Sequence, residues 1–492
     1  MYHKLILTFS IACSVLGNIA LAQKNKHPNI LWVITDEHNF RTLGCYRDLL
    51  PQDQALMWGE PVVATPNIDR LAAQGAIFDR MYASSPVCSP NRASMFTGEY
   101  PHTVNVATND RVMDVNYPTI ATVLKENGYR TGYAGKWHLS GEAKPGWQPN
   151  PNYGFDDNRF MFNRGHWKKL GVEKDGSPYV ATKNKNGIPS ASLSNADEKS
   201  FTTDWLTDRT LAFISSNKDH PFFYVVSLPD PHGPNSVRKP YNTMYANADF
   251  KVPESYHFEK SENEPRWRRK DPKVTGEQFL KKIYVQYYGM VKCIDDNMGR
   301  IIAKLEEDGI LENTIILFSA DHGDMMGEHG RINKGSPLEG SAKIPFVVRY
   351  PKAIKAGTVV TKATNATDWM ETFLSMAGIE DRPKTSGRDL MPIIRNPELK
   401  KWDDITFSRF GSWAGAFDSR YKLILDNSKS QPWLLDIETD PDENQNFYGL
   451  EAYAEVVGRL GKKLQDYLVT QKDPLLENKN FMDKLLKINE GK

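Results

Sequence analysis

Three apolar runs and one short strand pattern, each stopping on a cluster of acidic, basic or imidazole side chains, constrain this chain more than any other feature. Residues 30–34 close on Thr35-Asp36-Glu37-His38, and residues 129–134 close on Gly135-Lys136-Trp137-His138. Residues 222–228 close on Pro229-Asp230-Pro231-His232, and residues 314–318 on Ser319-Ala320-Asp321-His322. Continuous apolar runs of this length fit strands covered on both faces, the habit of parallel sheets. A helical pattern over 118–126, stopped by Asn127-Gly128, precedes the second run, and another over 284–305 precedes the fourth. Helix followed by strand is the crossover rhythm of an α/β fold. Ligands of such folds bind beyond the carboxyl ends of the strands, so the four polar clusters predict one shared site.

Residues 140–196 and 235–276 break the rhythm. They are rich in Pro, Gly and Asn and too long for simple connectors, which predicts functional loops over the site. From about Thr406 short strand patterns at 421–425 and 433–436 predict a small antiparallel sheet, followed by a terminal helix over 450–468. With 492 residues, 40% of them apolar, the chain can bury a large core, and disorder as its main state is excluded. Lys and Arg number 62 against 61 Asp and Glu, so a net charge of +1 gives no global field for nucleic acid or an anionic membrane. An anionic ligand must be met locally.

Lys4, the apolar stretch 5–16 and Ala20-Leu21-Ala22 before Gln23 read as a signal peptide over 1–22. The mature chain is therefore expected to be exported, periplasmic or secreted. Thr8, Ser10 and Ser14 weigh against a membrane anchor, and a lipoprotein reading through Cys13 leaves a very short apolar stretch before it. Cys45, Cys88 and Cys293 remain. They are too sparse for a zinc module or a disulfide scaffold, and their odd number leaves at least one with another fate.

Asp36, Asp321 and His322, with Glu37 as a further candidate, would collect near one point if their strands are neighbours. Carboxylate oxygens suit a hard divalent ion, calcium or magnesium, although an isolated Asp-His pair is equally a loop cap. The run Cys88-Ser89-Pro90-Asn91-Arg92 leads into Ala93-Ser94-Met95-Phe96-Thr97-Gly98. A lone Cys is a small buried hydrophobe or a nucleophile, and spacing does not choose between them.

The run Cys-x-Pro-x-Arg with its Thr-Gly continuation closely resembles the signature of the formylglycine-dependent type I sulfatases. The resemblance covers residue 28 to about residue 446 and includes Gly135-Lys136-Trp137-His138, Asp321-His322-Gly323, Gly327-Glu328-His329-Gly330 and Lys334. It implies the alkaline-phosphatase-like α/β sandwich: a large mixed, mainly parallel sheet flanked by helices, with a smaller C-terminal antiparallel sheet. The division expected is a catalytic domain over 23–400 and a C-terminal subdomain over 401–492. By the same resemblance Cys88 is oxidised to formylglycine by a maturating enzyme, and Asp36, Asp321, His322 and residue 88 bind calcium. Glu37, a methylene longer than the family's Asp, is a doubtful fifth ligand. Arg92, Lys136 and Lys334 would meet the nucleophile and sulfate oxygens. His232 would protonate the leaving alcohol, and His138 would act as base in sulfate release.

Two loop clusters, Arg159, Arg164, His166, Trp167, Lys168 and Lys169, and Arg266, Trp267, Arg268, Arg269 and Lys270, mix basic and flat side chains suited to sulfated sugar. His38, His102 and His329 are expected to pack near the motifs, and His27, His166, His220 and His257 to lie on the surface. The substrate expected is a sulfated oligo- or polysaccharide of ulvan, carrageenan or glycosaminoglycan type. The rival readings are a phosphate ester hydrolase of the same fold and a non-catalytic polysaccharide-binding protein.

Overall fold

The computed structural model describes residues 27–60, 62–258 and 264–490. The signal-peptide segment and Cys13 lie outside the described residues. Each of the four segments is a strand that continues into its polar cluster: Asn29–Asp36, Arg130–Lys136, Phe222–Pro231 and Thr314–Ala320. They are neighbours and parallel, in the order Thr314–Ala320, Asn29–Asp36, Phe222–Pro231, Arg130–Lys136. Asp157–Phe162 extends the sheet at one side, and Phe346–Arg349, Ala76–Phe78 and Thr358–Val360 extend it at the other. Phe346–Arg349 runs antiparallel to both its neighbours, so the eight-stranded sheet is mixed but mainly parallel.

The first run shows why these strands are apolar throughout. Leu31 and Val33 enter one core with the helix Glu277–Glu307, while Ile30, Trp32 and Ile34 enter another with the helices Cys88–Thr97 and Trp369–Met376. All five are fully buried, each side chain contributing roughly 1.5–3 kcal/mol. A register shift between Thr35 and Asp36 breaks the ladder where the site begins, so that Asp36 lies opposite Pro231. Gly135 sits at φ +106°, and a Cβ there would fall 1.9 Å from the Ser227 carbonyl oxygen. Only glycine lets the two strands close up just before Lys136.

Thr406–Phe410, Trp413–Phe417, Tyr421–Asp426 and Trp433–Asp436 form the expected antiparallel sheet. The expected terminal helix forms over Ala454–Thr470 but is not the last. Lys479–Asn489 follows and buries Phe481, Leu485 and Ile488 in the same core. The stretch 140–196 also contains more than loop: the strand Asp157–Phe162 and a ribbon of Leu170–Val172 with Pro178–Val180. Only the second half of Asp157–Phe162 is buried, because it is an edge strand, and three apolar residues were too short a run to read. Among the described residues no helix is long and apolar enough to cross a membrane, and Cys45, Cys88 and Cys293 are all free.

Candidate active site

The helix Cys88–Thr97 starts beneath the strand ends, with Cys88 as its first residue. Asp36 ends one central strand, and Asp321 and His322 follow its neighbour. One ligand atom from each of Asp36, Cys88, Asp321 and His322 lies within 4.8 Å of the other three, and all four residues are buried. Cys88 Sγ is 3.2 Å from His322 Nε2 and 3.8 Å from Asp36 Oδ1. His322 Nδ1 donates to the Gly323 carbonyl at 2.9 Å, which leaves Nε2 turned toward the thiol and carboxylates. Two buried carboxylates and an imidazole nitrogen form a donor set that fits a hard divalent ion.

Cations close round this floor. Arg92, one helical turn beyond Cys88, donates through Nε to Asp321 Oδ2 at 2.9 Å and through Nη1 to the Lys136 carbonyl at 2.7 Å and Ser227 Oγ at 2.8 Å. Its fork thus ties both acids to the neighbouring strands, with Nη2 3.5 Å from Asp36 Oδ2. Lys136 Nζ donates to Asp36 Oδ2 and, at 2.8 Å, to His166 Nε2. Lys334 Nζ lies 3.2 Å from Cys88 Sγ, 3.1 Å from Glu37 Oε2 and 2.7 Å from His232 Nε2. His232 Nε2 is 2.7 Å from Glu37 Oε2, and the His232 ring stacks on His166 with centroids 3.5 Å apart. Lys136 is fully buried, whereas Lys334, His232 and His166 reach solvent and form the mouth.

The charges are mutually supporting. Burial and the Asp36 carboxylate push the Cys88 thiol up, but Lys136, Lys334 and His322 hold it well below the usual thiol range. Burial also works against Asp36 and Glu37. Lys136 nevertheless holds Asp36 well below the carboxylate range, and His232 and Lys334 bring Glu37 down to about 2. Burial lowers His322, but Asp321 lifts it to about 9, so a metal ion there competes with a proton. Burial, with the charges of His232 and Lys136, keeps His166 neutral.

Eight of the ten expected site residues, Asp36, Cys88, Arg92, Lys136, His232, Asp321, His322 and Lys334, therefore converge. Glu37 behaves differently. Its backbone is left-handed, φ 62°, and its N–H donates to Asp321 Oδ1 at 3.1 Å, while the side chain turns to His232 and Lys334. Its Oε1 is buried without a hydrogen-bond partner, an oxygen still free for a larger coordination shell. His138, also left-handed at φ 64°, follows Lys136 by two residues: Nε2 is 2.8 Å from Asp110 Oδ1 and Nδ1 is buried without a partner.

The structure corrects the expectation that His166 is a surface residue, since it belongs to the mouth of the pocket. Its place in a mixed basic and aromatic run beyond a strand end was the available signal. Asp110 was missed altogether, for nothing in the sequence ties it to His138. Four of the eleven residues in the two clusters expected at the sugar are structural. Trp167 and Trp267 are core residues, Lys168 pairs with Asp230 at 2.6 Å, and buried Arg268 donates to the Glu443 carbonyl at 2.6 Å. Asp36, His166 and His232 also bring ligand atoms within 4.8 Å of one another, but the Lys136 ammonium already bonds both Asp36 and His166. A positive charge already occupies that place.

A buried thiol at a helix start, flanked by acids and ringed by cations beyond the ends of a mainly parallel sheet, fits a hydrolase of anionic esters. The sulfatase family model matches residues 28–379, and the chain belongs to that family, a sulfuric ester hydrolase of the alkaline-phosphatase-like fold. A model of the C-terminal part of N-sulphoglucosamine sulphohydrolase matches residues 327–470. The N-acetylglucosamine-6-O-sulfatase of Bacteroides thetaiotaomicron is 26% identical over 95% of this chain and 91% of its own length. A structure solved in complex with its substrate D-glucosamine-2-N,6-O-disulfate superposes with a TM-score of 0.74, at 24% identity, over 92% of this chain and all of that one. The phosphonate monoester hydrolase of Silicibacter pomeroyi shares the fold with a TM-score of 0.71, at 23% identity, over 91% of this chain and 96% of its own.

Proposed function

We propose that this sulfatase acts on sulfate monoesters of a carbohydrate, with Cys88 matured to formylglycine and calcium as its metal. The observation that carries the reading is the Cys88 sulfur itself, buried among three candidate metal ligands and 3.2 Å from Lys334. A sulfuryl group in transfer spreads negative charge over its non-bridging oxygens, which calls for fixed cations around it. Formylglycine supplies a hydrated aldehyde, one hydroxyl to attack sulfur and a second through which sulfate can be expelled. Calcium held by Asp36, Asp321, His322 and residue 88 supplies a Lewis acid, with Glu37 Oε1 available to enlarge the shell.

The remaining work belongs to the chain. Arg92 keeps Asp36 and Asp321 ionised and fixed, and Lys136 and Lys334 take the sulfate oxygens. His232, at the mouth, gives a proton to the leaving alcohol. Asp110 accepts the Nε2 proton of His138, so the lone pair falls on Nδ1 and makes that atom the base toward residue 88. At 2% exposure Cys88 is out of reach of an enzyme once the chain has folded, so a sulfatase-maturating partner must act before folding. Export rests on residues 1–22 alone.

The carbohydrate is supported by relatives named for glucosamine sulfates. The phosphonate hydrolase neighbour keeps a phosphoryl ester reading in view. Against it stands the Lys136 ammonium, which fills the place beside Asp36 where a second ion would sit. A binding protein would need neither a buried nucleophile nor an acid beside it. Sulfate release from a panel of sulfated mono- and oligosaccharides, compared with phosphate release from the corresponding phosphate esters, tests the reading. Sulfate release that disappears in Cys88→Ala supports it, and faster turnover of the phosphates overturns it.

A further inference from the structure

His166 offers the site a donor that the mechanism above does not use. Lys136 Nζ lies 2.8 Å from His166 Nε2, and an ammonium has only protons to give, so Nε2 accepts and the ring proton resides on Nδ1. That Nδ1 has no hydrogen-bond partner among the described residues and is not among the buried unpartnered atoms, on a side chain 24% exposed. The N–H therefore faces the open mouth.

The ring is held firmly. It stacks on His232 at 3.5 Å with 8° between planes. Gly165 before it stands at φ +117°, where a Cβ would meet the Trp167 ring at 2.4 Å, and Trp167 is buried. Lys168 binds Asp230 at 2.6 Å and reaches the His232 carbonyl at 3.5 Å, which clamps the His166 loop to the strand end carrying His232. Asp230 is in turn held by Thr203 Oγ1 at 2.7 Å. A donor fixed one stacking distance from the acid lies beside the leaving alcohol, where the oxygens on neighbouring sugar carbons would come.

We propose that His166 Nδ1–H donates to an oxygen on the alcohol portion of the substrate, a hydroxyl or ring oxygen next to the ester, and so selects polyhydroxylated esters over simple aryl esters. The proposal rests on the sulfatase reading of this pocket, with His232 beside the leaving oxygen. One well-placed hydrogen bond is worth about tenfold in specificity.

Two measurements test it on the matured, metal-loaded enzyme. The first is the ¹⁵N spectrum of histidine-labelled protein, with His166 assigned by its disappearance in His166→Phe. An Nδ1–H tautomer is expected, and an Nε2–H tautomer overturns the proposal whatever the substrate. The second is kcat/KM on the best sulfated monosaccharide of the panel and on 4-nitrophenyl sulfate. His166→Phe keeps a ring against His232 without the N–H, and its loss on the sugar should exceed its loss on the aryl ester by about tenfold. His166→Asn, which restores a short N–H donor, should recover part of the difference. Equal losses on both esters, or a His166→Phe variant that loses nothing on the sugar, would assign His166 to packing alone and overturn the proposal. A panel with no substrate, or Cys88→Ala and His232→Ala retaining normal turnover, would instead take down the underlying reading.

Discussion

Replacing His232 with alanine removes the one imidazole that is both at the mouth and within 2.7 Å of Glu37 and Lys334. Glu37 keeps its partner in Lys334 at 3.1 Å, so this largely buried pair loses one member without leaving an unpaired charge, and stability should fall by about 1–3 kcal/mol. The catalytic loss is of another order. General acid catalysis is worth roughly 10²–10⁴-fold, or about 2.7–5.4 kcal/mol of barrier, and only a leaving group that needs the proton suffers it. A sugar alcoholate is such a group, whereas 4-nitrophenolate leaves unaided. The assay is kcat/KM for His232→Ala and His232→Gln on a sulfated sugar and on 4-nitrophenyl sulfate, with melting temperature as the control. The expected outcome is a loss on the sugar at least 10²-fold greater than on the aryl ester. Equal losses, or recovery by Gln, would refute His232 as the acid and leave it a sulfate ligand.

Asp321→Ala removes a candidate ligand and the Arg92 partner together, so both metal content by elemental analysis and turnover should collapse, and chelation of the wild type should mimic the loss. Glu37→Gln takes the negative charge from between His232 and Lys334. It should lower kcat about tenfold or more while sparing bound metal, and loss of the metal in this variant would make Glu37 a principal ligand. Burial and the Glu37 charge raise Asp324 to about 8, against an ordinary 3.8, so the folded protein holds a proton that the unfolded chain releases across that window. Stability should therefore fall as pH rises from about 4 to about 8. Asp324→Asn, whose carbonyl can still accept from the Met326 and Asn333 N–H groups, should flatten the melting-temperature profile there, and an unchanged slope would refute the assignment.

The central strands were legible because both their faces are buried, and their polar ends marked the site. Edge strands such as Asp157–Phe162 were not, since exposure on one side dilutes their apolar pattern. At the site, Cys88 and Arg92 stand one helical turn apart and could be read together, while Asp36, Lys136, His232 and Asp321 followed from the strand ends. Asp110 and the true place of His166 depend on how two irregular loops fold over the pocket, and no local periodicity encodes that. The basic and aromatic clusters divide for a related reason. Lys168 and Arg268 look solvated in sequence but spend their charge inside, on Asp230 and on Glu264 and backbone carbonyls. The pairing of Glu37 with His232 depends on the left-handed turn at Glu37, which the sequence does not announce.

The account turns on residue 88, and mass spectrometry of the peptide that carries it tests the matter most directly. In preparations made with varying amounts of a maturating enzyme, sulfate release should rise in proportion to the fraction of residue 88 recovered as the aldehyde, and should vanish where only thiol is found. Full activity in a preparation whose Cys88 is entirely a free thiol would contradict the account.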